Sequence, residues 1–484
     1  MSLTAKTVNS IIYTGSTKLV QRGLGVISML ILARILTPED FGIVSICTLA
    51  VFLFNSLGDV GAKQYIIRTQ DIDDDILNTA WTLNICIKLS LWLFFITFSS
   101  SIASFLGKPE IEDPLRFLSL ILAFGCLGNP GVWIMSRNLN YKPLFKIDVI
   151  SKVLSFITVL VIVYFERTYW AMLIGVVLSY LLPCIFSHFI CSHRPRFRLL
   201  NIYHQMKFSQ WVIANSIVGY ARGEGDSVLV AKYFNLDMIG IYSMFKNLSS
   251  MPLTQLISPA TDPLLATFSA AIREKDFKAY QLNIVLLLLL SLVAPLTTMM
   301  AYFNQEIVLL FLGDKWGTHA YIFSILAFMM VPGVIFKVLS EYILAEGGYK
   351  PIVYYQSCMT VLTLAILYAM IGSDLAEFAI TRVLIAVFSL CIFMSYFQIR
   401  YGFFKISDLV LFILPFVASS IGIFTVVILD SDSIHWFGRL FFGCLIFSFI
   451  YSISLLGLIY LNKRRYECVL FLSYIAGIKN FFRV

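Results

Sequence analysis

Three observations predict an all-α integral membrane protein of about fourteen transmembrane helices, built as two parallel six-helix repeats plus two C-terminal helices. The first is composition. Of 484 residues, 59% are hydrophobic and 13% charged, with a mean hydropathy of +0.84, which is more apolar surface than a soluble chain can hide. The second is a run of apolar windows, each about 20 residues long, spread over the whole chain. The third is an internal repeat.

Residues 31–46, ILARILTPEDFGIVSI, recur as LVAKYFNLDMIGIYSM at 229–244. Ala33 aligns with Ala231, Arg34 with Lys232, Glu39 with Asp237, Gly42-Ile43 with Gly240-Ile241, and Ser45 with Ser243. Three further anchors follow in the same order. Leu83-Asn84-Ile85 matches Leu282-Asn283-Ile284, Pro130-Gly131-Val132 matches Pro332-Gly333-Val334, and Tyr141-Lys142-Pro143 matches Tyr349-Lys350-Pro351. A doubled membrane unit is a common way to build a site between two halves.

The spans are expected near 11–34, 41–62, 76–100, 115–135, 147–165, 168–191, 208–231, 240–262, 281–302, 320–341, 352–371, 377–398, 409–429 and 437–460. The repeats start at spans one and seven. An even number of spans separates them, so both cross in the same direction. This divides the chain into a six-helix bundle at 1–200, a second at 201–400, and a segment 401–484 holding helices 13–14 and an amphipathic tail. The first apolar stretch reads as a transmembrane helix and not as a cleavable signal peptide.

Lys and Arg set the direction. With the N-terminus inside, 21 of them fall in inner segments and only Lys108, Arg167, Lys232 and Lys315 in outer loops. Both termini are therefore expected in the cytoplasm. The +8 net charge records that topology and not a nucleic-acid partner. After Lys463-Arg464-Arg465, the tail offers an apolar stretch too short to span, suited to lying against anionic membrane lipids.

LARILTPEDFGIVSI (32–46), Gly58-Asp59-x-Gly61, Arg137…Tyr141-Lys142…Asp148…Ser151-Lys152 and Gly225-Asp226 resemble the polysaccharide transporter family. That family holds exporters of O-antigen, colanic-acid and teichuronic-acid type. It belongs to the superfamily of multidrug exporters and lipid-linked precursor flippases. The resemblance implies two six-helix bundles around a central cavity. It also implies a flippase in the bacterial cytoplasmic (inner) membrane, moving an undecaprenyl-pyrophosphate-linked oligosaccharide to the outer leaflet for O-antigen, exopolysaccharide or capsule synthesis. A polysaccharide polymerase and chain-length machinery are the partners it implies. The second half departs more from the pattern.

A Lys or Arg at bilayer depth costs roughly 2.5–3.5 kcal/mol, so each needs a partner, a wet cavity or a route to the interface. Arg34, Arg116 and Arg439 sit near span ends and can snorkel. Asp148 and Lys152 are spaced i, i+4, as are Lys337 and Glu341, and each pair can neutralise itself. Lys18 and Arg22 share a face but carry one sign. A wet cavity receiving an anion accounts for them, and a structural pair with Asp59 is the alternative. Asn215, Gly219, Arg222 and Asp226 form a polar stripe on span seven, where Arg222 and Asp226 can pair. For Lys246, Lys88 and Arg382 the sequence offers no acid at i±3 or i±4.

Lys18, Arg22, Arg222 and Lys246 are therefore the candidate ligands of a pyrophosphate, as point charges and forks. Asp226 and Asp59 are the candidates for ion coupling, with a static pair as the alternative for Asp226. Tyr220, Tyr242 and Trp211 are candidate faces for sugar, against the default of interfacial anchoring.

Other motifs point away from chemistry. The nine Cys stand singly without CxxC, and the five His show no ligand spacing, so neither a metal nor a disulfide is expected. Asp71-x-Asp73-Asp74-Asp75 reads as the acidic start of a helix. Gly23-x-Gly25 follows no strand, and there is no Walker motif, so no cofactor is expected and H⁺ or Na⁺ gradients or the substrate's own gradient remain as energy sources. An exporter of cationic drugs on the same architecture is the competing function, and it wants an acidic cavity. A polymerase or glycosyltransferase would need a large catalytic loop or domain, and no loop here has the length.

Overall fold

The computed structural model describes residues 3–200, 202–275, 277–404, 408–429, 435–463 and 465–476, and all of its regular structure there is helical. The chain divides into two compact units, 1–243 and 244–484.

The first unit contains α1 (Leu3–Ile35), α2 (Pro38–Leu57), α3 (Ala62–Arg68), α4 (Asp74–Phe105), α5 (Glu112–Leu118), α6 (Leu120–Leu127), α7 (Gly131–Arg137), α8 (Tyr141–Phe165), α9 (Trp170–Ile190), α10 (Ile202–Tyr233) and the start of α11 (Leu236–Pro252). The second unit continues with α12 (Ser258–Thr261), α13 (Leu264–Arg273), α14 (Ala279–Tyr302), α15 (Asn304–Phe311), α16 (Ala320–Ala327), α17 (Met330–Ala345), α18 (Tyr349–Ala369), α19 (Leu375–Tyr401), α20 (Leu409–Leu429), α21 (Trp436–Leu461) and α22 (Tyr466–Ala476).

Among the described residues, ten helical stretches are long and apolar enough to cross a membrane, or eleven if a bent pair counts as one span. Large apolar side chains such as Leu19, Phe94, Tyr164, Val361 and Ile399 lie on the outside, as lipid-facing surfaces require. α1 and α10 are long enough but do not join the ten. They carry the charges Lys18, Arg22, Arg222, Glu224 and Asp226.

Each repeat anchor marks the same event twice. Thr37 caps α2 by accepting from the Asp40 amide at 3.3 Å. Asn235, its counterpart, caps α11 by accepting from the Met238 amide at 2.9 Å. Such caps satisfy donors a helix start leaves open. Pro130-Gly131 opens α7, and Pro332 lies in the first turn of α17, where the missing N–H of proline costs nothing. Tyr141 and Tyr349 are the first residues of α8 and α18. Asn84 and Asn283 are both buried, in α4 and α14.

The span expected at 115–135 is broken. Its two parts meet at 63° across Gly128-Asn129-Pro130. Pro130 has no N–H to continue the helix; the Asn129 side chain caps the restart by accepting from the Gly131 amide at 2.8 Å, and the Ser187 hydroxyl accepts from the Asn129 amide at 2.8 Å. The acidic run works as a helix start. Asp73 caps α4 through the Ile76 amide at 2.7 Å, and Asp75 pairs with Arg198. The basic segment after α9 is a strap laid along α4. The Arg196, Arg198 and Leu200 amides donate to Asn78 Oδ1, Thr82 Oγ1 and Thr79 Oγ1 at 3.0, 3.0 and 3.1 Å.

In the second unit, Lys337 pairs with Glu341 at 2.5 Å as the spacing predicts. Arg439 does more than snorkel: it pairs with the buried Glu306 at 3.0 Å. In the first unit, Arg116 is held by Glu112 and by the Ser99 hydroxyl at 2.9 Å. The tail forms α22, which packs on α14 and α21 through the buried Cys468 and Phe471. Arg464, Lys479 and Arg483 lie outside the described residues. All nine cysteines are free thiols.

Candidate functional site

α1 and α10 occupy equivalent places in the two repeats, and both present cations. Lys18 and Arg22 are exposed on α1, one turn apart, and Arg222 is exposed on α10. None of the three side chains has a hydrogen-bond or ion-pair partner among the described residues. In hydrocarbon that would be costly, so these faces require water or an anion.

Asp226 is differently placed. It is buried, its Oδ2 accepts from the Tyr242 hydroxyl at 2.9 Å, and its Oδ1 accepts from the Ser227 amide at 2.9 Å. The expected Arg222–Asp226 pair is not formed, because the carboxylate turns inward to α11 while the guanidinium faces out. Glu224 accepts from the Ser227 hydroxyl at 3.0 Å. The aromatic candidates divide the same way. Tyr242 is buried and bonded to Asp226, Tyr220 donates to the Leu49 carbonyl at 2.6 Å, and Trp211 is exposed. The two tyrosines are thus occupied in joining helices.

α10 runs along α2, which is why it belongs to the first unit although the repeat places it in the second half. At one end the Ser209 hydroxyl donates to the Val60 carbonyl at 2.7 Å. Gly61, with φ +64°, makes the turn there, a conformation glycine adopts freely. At the other end the starts of α2 and α11 meet. A Cβ on Gly42 would lie 2.0 Å from the Leu236 carbonyl oxygen, and one on Gly240 would lie 1.8 Å from that of Pro38. The contact is reciprocal between repeat-equivalent residues.

Asp59 stands exposed in the α2–α3 turn, accepting from the Gly61 amide at 3.1 Å; it forms no pair with Lys18 or Arg22. Lys246, half-buried further along α11, lies in the second unit and has bonding partners of its own. Lys88 donates to Asn55 Oδ1 at 3.1 Å, a polar partner that charge spacing does not reveal. Arg382 is half-buried and also engaged. The expected Asp148–Lys152 pair is absent as well. Asp148 instead lines a cavity of about 470 Å³ with Lys18 and Lys63. Lys63 comes from α3, so no spacing within one helix could have found it.

Lys108 and Lys232, assigned to outer loops, are tied down. Lys108 is buried and donates to the Ala231 carbonyl at 2.9 Å, a cation at the C-terminus of α10. Burial pulls its ammonium below the usual lysine range. Lys232 lies 3.5 Å over the Phe105 ring.

A family model described as polysaccharide biosynthesis protein matches residues 31–321. The chain belongs to that family. It is 23% identical over 297 residues to the succinoglycan biosynthesis transport protein ExoT of Rhizobium meliloti. That match covers 61% of this chain and 60% of the relative, so it spans less than two thirds of the other protein. It is 24% identical over 348 residues to the lipopolysaccharide biosynthesis protein WzxC of Escherichia coli, covering 69% of this chain and 68% of that one. The fold of the lipid II flippase MurJ, inward closed conformation, superposes on 94% of this chain and 100% of that one, with a TM-score of 0.76 and 16% identity. The family member is thus a multi-pass membrane protein with a MurJ-like fold.

Proposed function

We propose that the protein is a flippase. It moves an undecaprenyl-pyrophosphate-linked oligosaccharide from the inner to the outer leaflet of the bacterial cytoplasmic membrane by alternating access, for cell-surface polysaccharide synthesis. One observation carries the reading. Lys18, Arg22 and Arg222 project from repeat-equivalent helices with no ion-pair partner among the described residues, in a member of a polysaccharide biosynthesis family whose relatives include a succinoglycan transport protein. A pyrophosphate supplies the missing negative charge, with Lys246 as a fourth ligand. A cationic drug would be repelled by the same faces.

The excess of inner Lys and Arg supports cytoplasmic termini. The repeat supports halves at 1–200 and 201–400 with 401–484 appended, the tail against anionic lipid. Asp226 and Asp59 are the proposed sites of H⁺ or Na⁺ coupling, and a polymerase with its chain-length machinery is the proposed consumer of the product.

Deletion of the gene should cause undecaprenyl-linked intermediates to accumulate on the inner leaflet, and the intact gene should clear them. Lys18→Ala, Arg22→Ala and Arg222→Ala should each fail to restore export at near-normal membrane abundance. Arg22→Glu should be worse than Arg22→Ala. Full complementation by all three alanine variants would overturn the assignment.

A further inference from the structure

The strap of residues 191–200 leads from α9 toward α10. Its far end is fastened by the Arg198–Asp75 pair and by the amides bonded to Thr82 and Thr79. Its near end is fastened by a titratable side chain, His193.

His193 has an oxygen in front of each ring nitrogen. Nε2 lies 3.3 Å from Asn78 Oδ1, and Nδ1 lies 3.6 Å from Asp74 Oδ1. The Asn78 atom is fixed as the oxygen, because it also accepts from the Arg196 amide at 3.0 Å. The histidine backbone is held in place too, its carbonyl accepting from Asn129 Nδ2 at 2.8 Å. A neutral imidazole has one N–H and one lone pair. It can satisfy one of the two oxygens and must turn a lone pair toward the other. The imidazolium has two N–H groups and can face both. The geometry fits the charged form.

The neighbouring charges favour the same form. A cavity of about 670 Å³ opens beside the ring, so water reaches a side chain that is only 19% exposed. Asp71, Asp73 and Asp74 line that cavity, against one cation, Arg137. The Arg137 guanidinium is already engaged by the carbonyls of Ile66, Thr69 and Gln70. Within the strap, Arg194 turns back to the carbonyls of His188 and Cys191 at 3.3 and 3.0 Å, and Arg198 is neutralised by Asp75. On α9 the His188 ring is bonded to the Leu127 carbonyl at 2.9 Å, and the Cys191 thiol beyond it is buried.

We propose that His193 is a proton-operated latch, which holds the start of the strap on α4 when charged and releases it when neutral. Partners that suit the charged form make the latch complete at low pH. It weakens as the pH rises through the range in which histidines titrate, about pH 5 to 8. Because the strap leads into α10, which carries Arg222, the latch makes the freedom of the segment entering that helix depend on acidity.

Tryptic cleavage after Arg196 and Arg198 reads the latch, since proteolysis follows the population of the open form. Purified full-length protein in nanodiscs is digested at about pH 6 and about pH 8. A synthetic peptide of residues 192–200, in the same digest, records the protease's own response to pH. Relative to that peptide, the wild-type strap should be cut about fivefold more slowly at the lower pH, on the order of one charge-assisted bond to an exposed carboxylate. His193→Gln has no titrating ring and should give the same ratio at both pH values. Asp74→Asn should lose most of the protection at the lower pH. Asp74 is exposed and Asp73 is the residue that caps α4, so this change spares the helix.

A wild-type ratio that does not change with pH overturns the proposal. So does a wild-type pH response in His193→Gln, which would place the titrating group elsewhere, or full protection in Asp74→Asn. No transport is measured, so the latch stands or falls separately from the flippase reading.

Discussion

Gly42 and Gly240 close against each other's helix starts: the position a Gly42 Cβ would take is 2.0 Å from the Leu236 carbonyl oxygen, and the position a Gly240 Cβ would take is 1.8 Å from that of Pro38. The four residues are two repeat pairs, since 240 − 42 and 236 − 38 are both 198. The contact joins α2 to α11 through backbone alone, and any side chain there must push the two helices apart.

Gly42→Ala and Gly240→Ala should therefore each destabilise the protein, by about 1–3 kcal/mol as overpacking does. The double variant should cost less than the sum, because one separation accommodates both methyl groups. Thermal unfolding of the purified variants measures this. Additive losses would show that the two glycines do not share one contact.

Tyr242→Phe removes the hydroxyl that donates to the buried Asp226. Leaving a buried acceptor short of a donor costs about 1–3 kcal/mol, more when it is charged. The melting temperature should fall, and Asp226→Asn should restore part of it in the Tyr242→Phe background by removing the charge. A wild-type melting temperature for Tyr242→Phe would mean that Asp226 does not depend on this bond.

Asp226→Asn also tests coupling. In reconstituted vesicles, its transport should lose the wild-type response to pH and Na⁺ gradients. A retained response assigns the carboxylate to holding α10 against α11 only.

The strap along α4 depends on Asn78, whose Oδ1 accepts from the Arg196 amide. Asn78→Ala should free the segment and speed tryptic cleavage after Arg196 and Arg198 several-fold, read by mass spectrometry. Cleavage at the wild-type rate would show that the remaining bonds to Thr79 and Thr82 suffice.

Orientation is tested with single cysteines at exposed sites. Glu110→Cys should react with an impermeant thiol reagent added outside the cell, and Arg196→Cys only after the membrane is opened. The reverse pattern would invert the topology argued from positive charge. Glu110 serves better than Lys108 two residues before it, which is buried.

The helical membrane fold and its doubling were legible in the sequence because both rest on local, periodic signals. Apolar windows mark spans, and caps, prolines and glycines mark where helices start. Thr37 with Asn235, and Pro130-Gly131 with Pro332-Gly333, carry those signals in both copies. The unusual cations on α1 and α10 were legible too, since a charge in an apolar run stands out whatever surrounds it.

Partnership was not legible, for a physical reason. A helix brings i and i+4 together, and from that rule Lys337–Glu341 followed correctly while Arg222–Asp226 and Asp148–Lys152 did not. Whether such a pair forms depends on what competes for each group. Tyr242 on α11 takes Asp226, and the cavity shared with Lys63 of α3 takes Asp148. Glu306 reaches Arg439 across 133 positions (439 − 306). The sequence alone determined that long apolar helices form, where the repeated helix starts lie, and which helices carry charge, but not the break at Gly128-Asn129-Pro130. Only the tertiary structure decided which charges meet and which face open space, because those contacts lie between helices whose relative rotation no local pattern encodes.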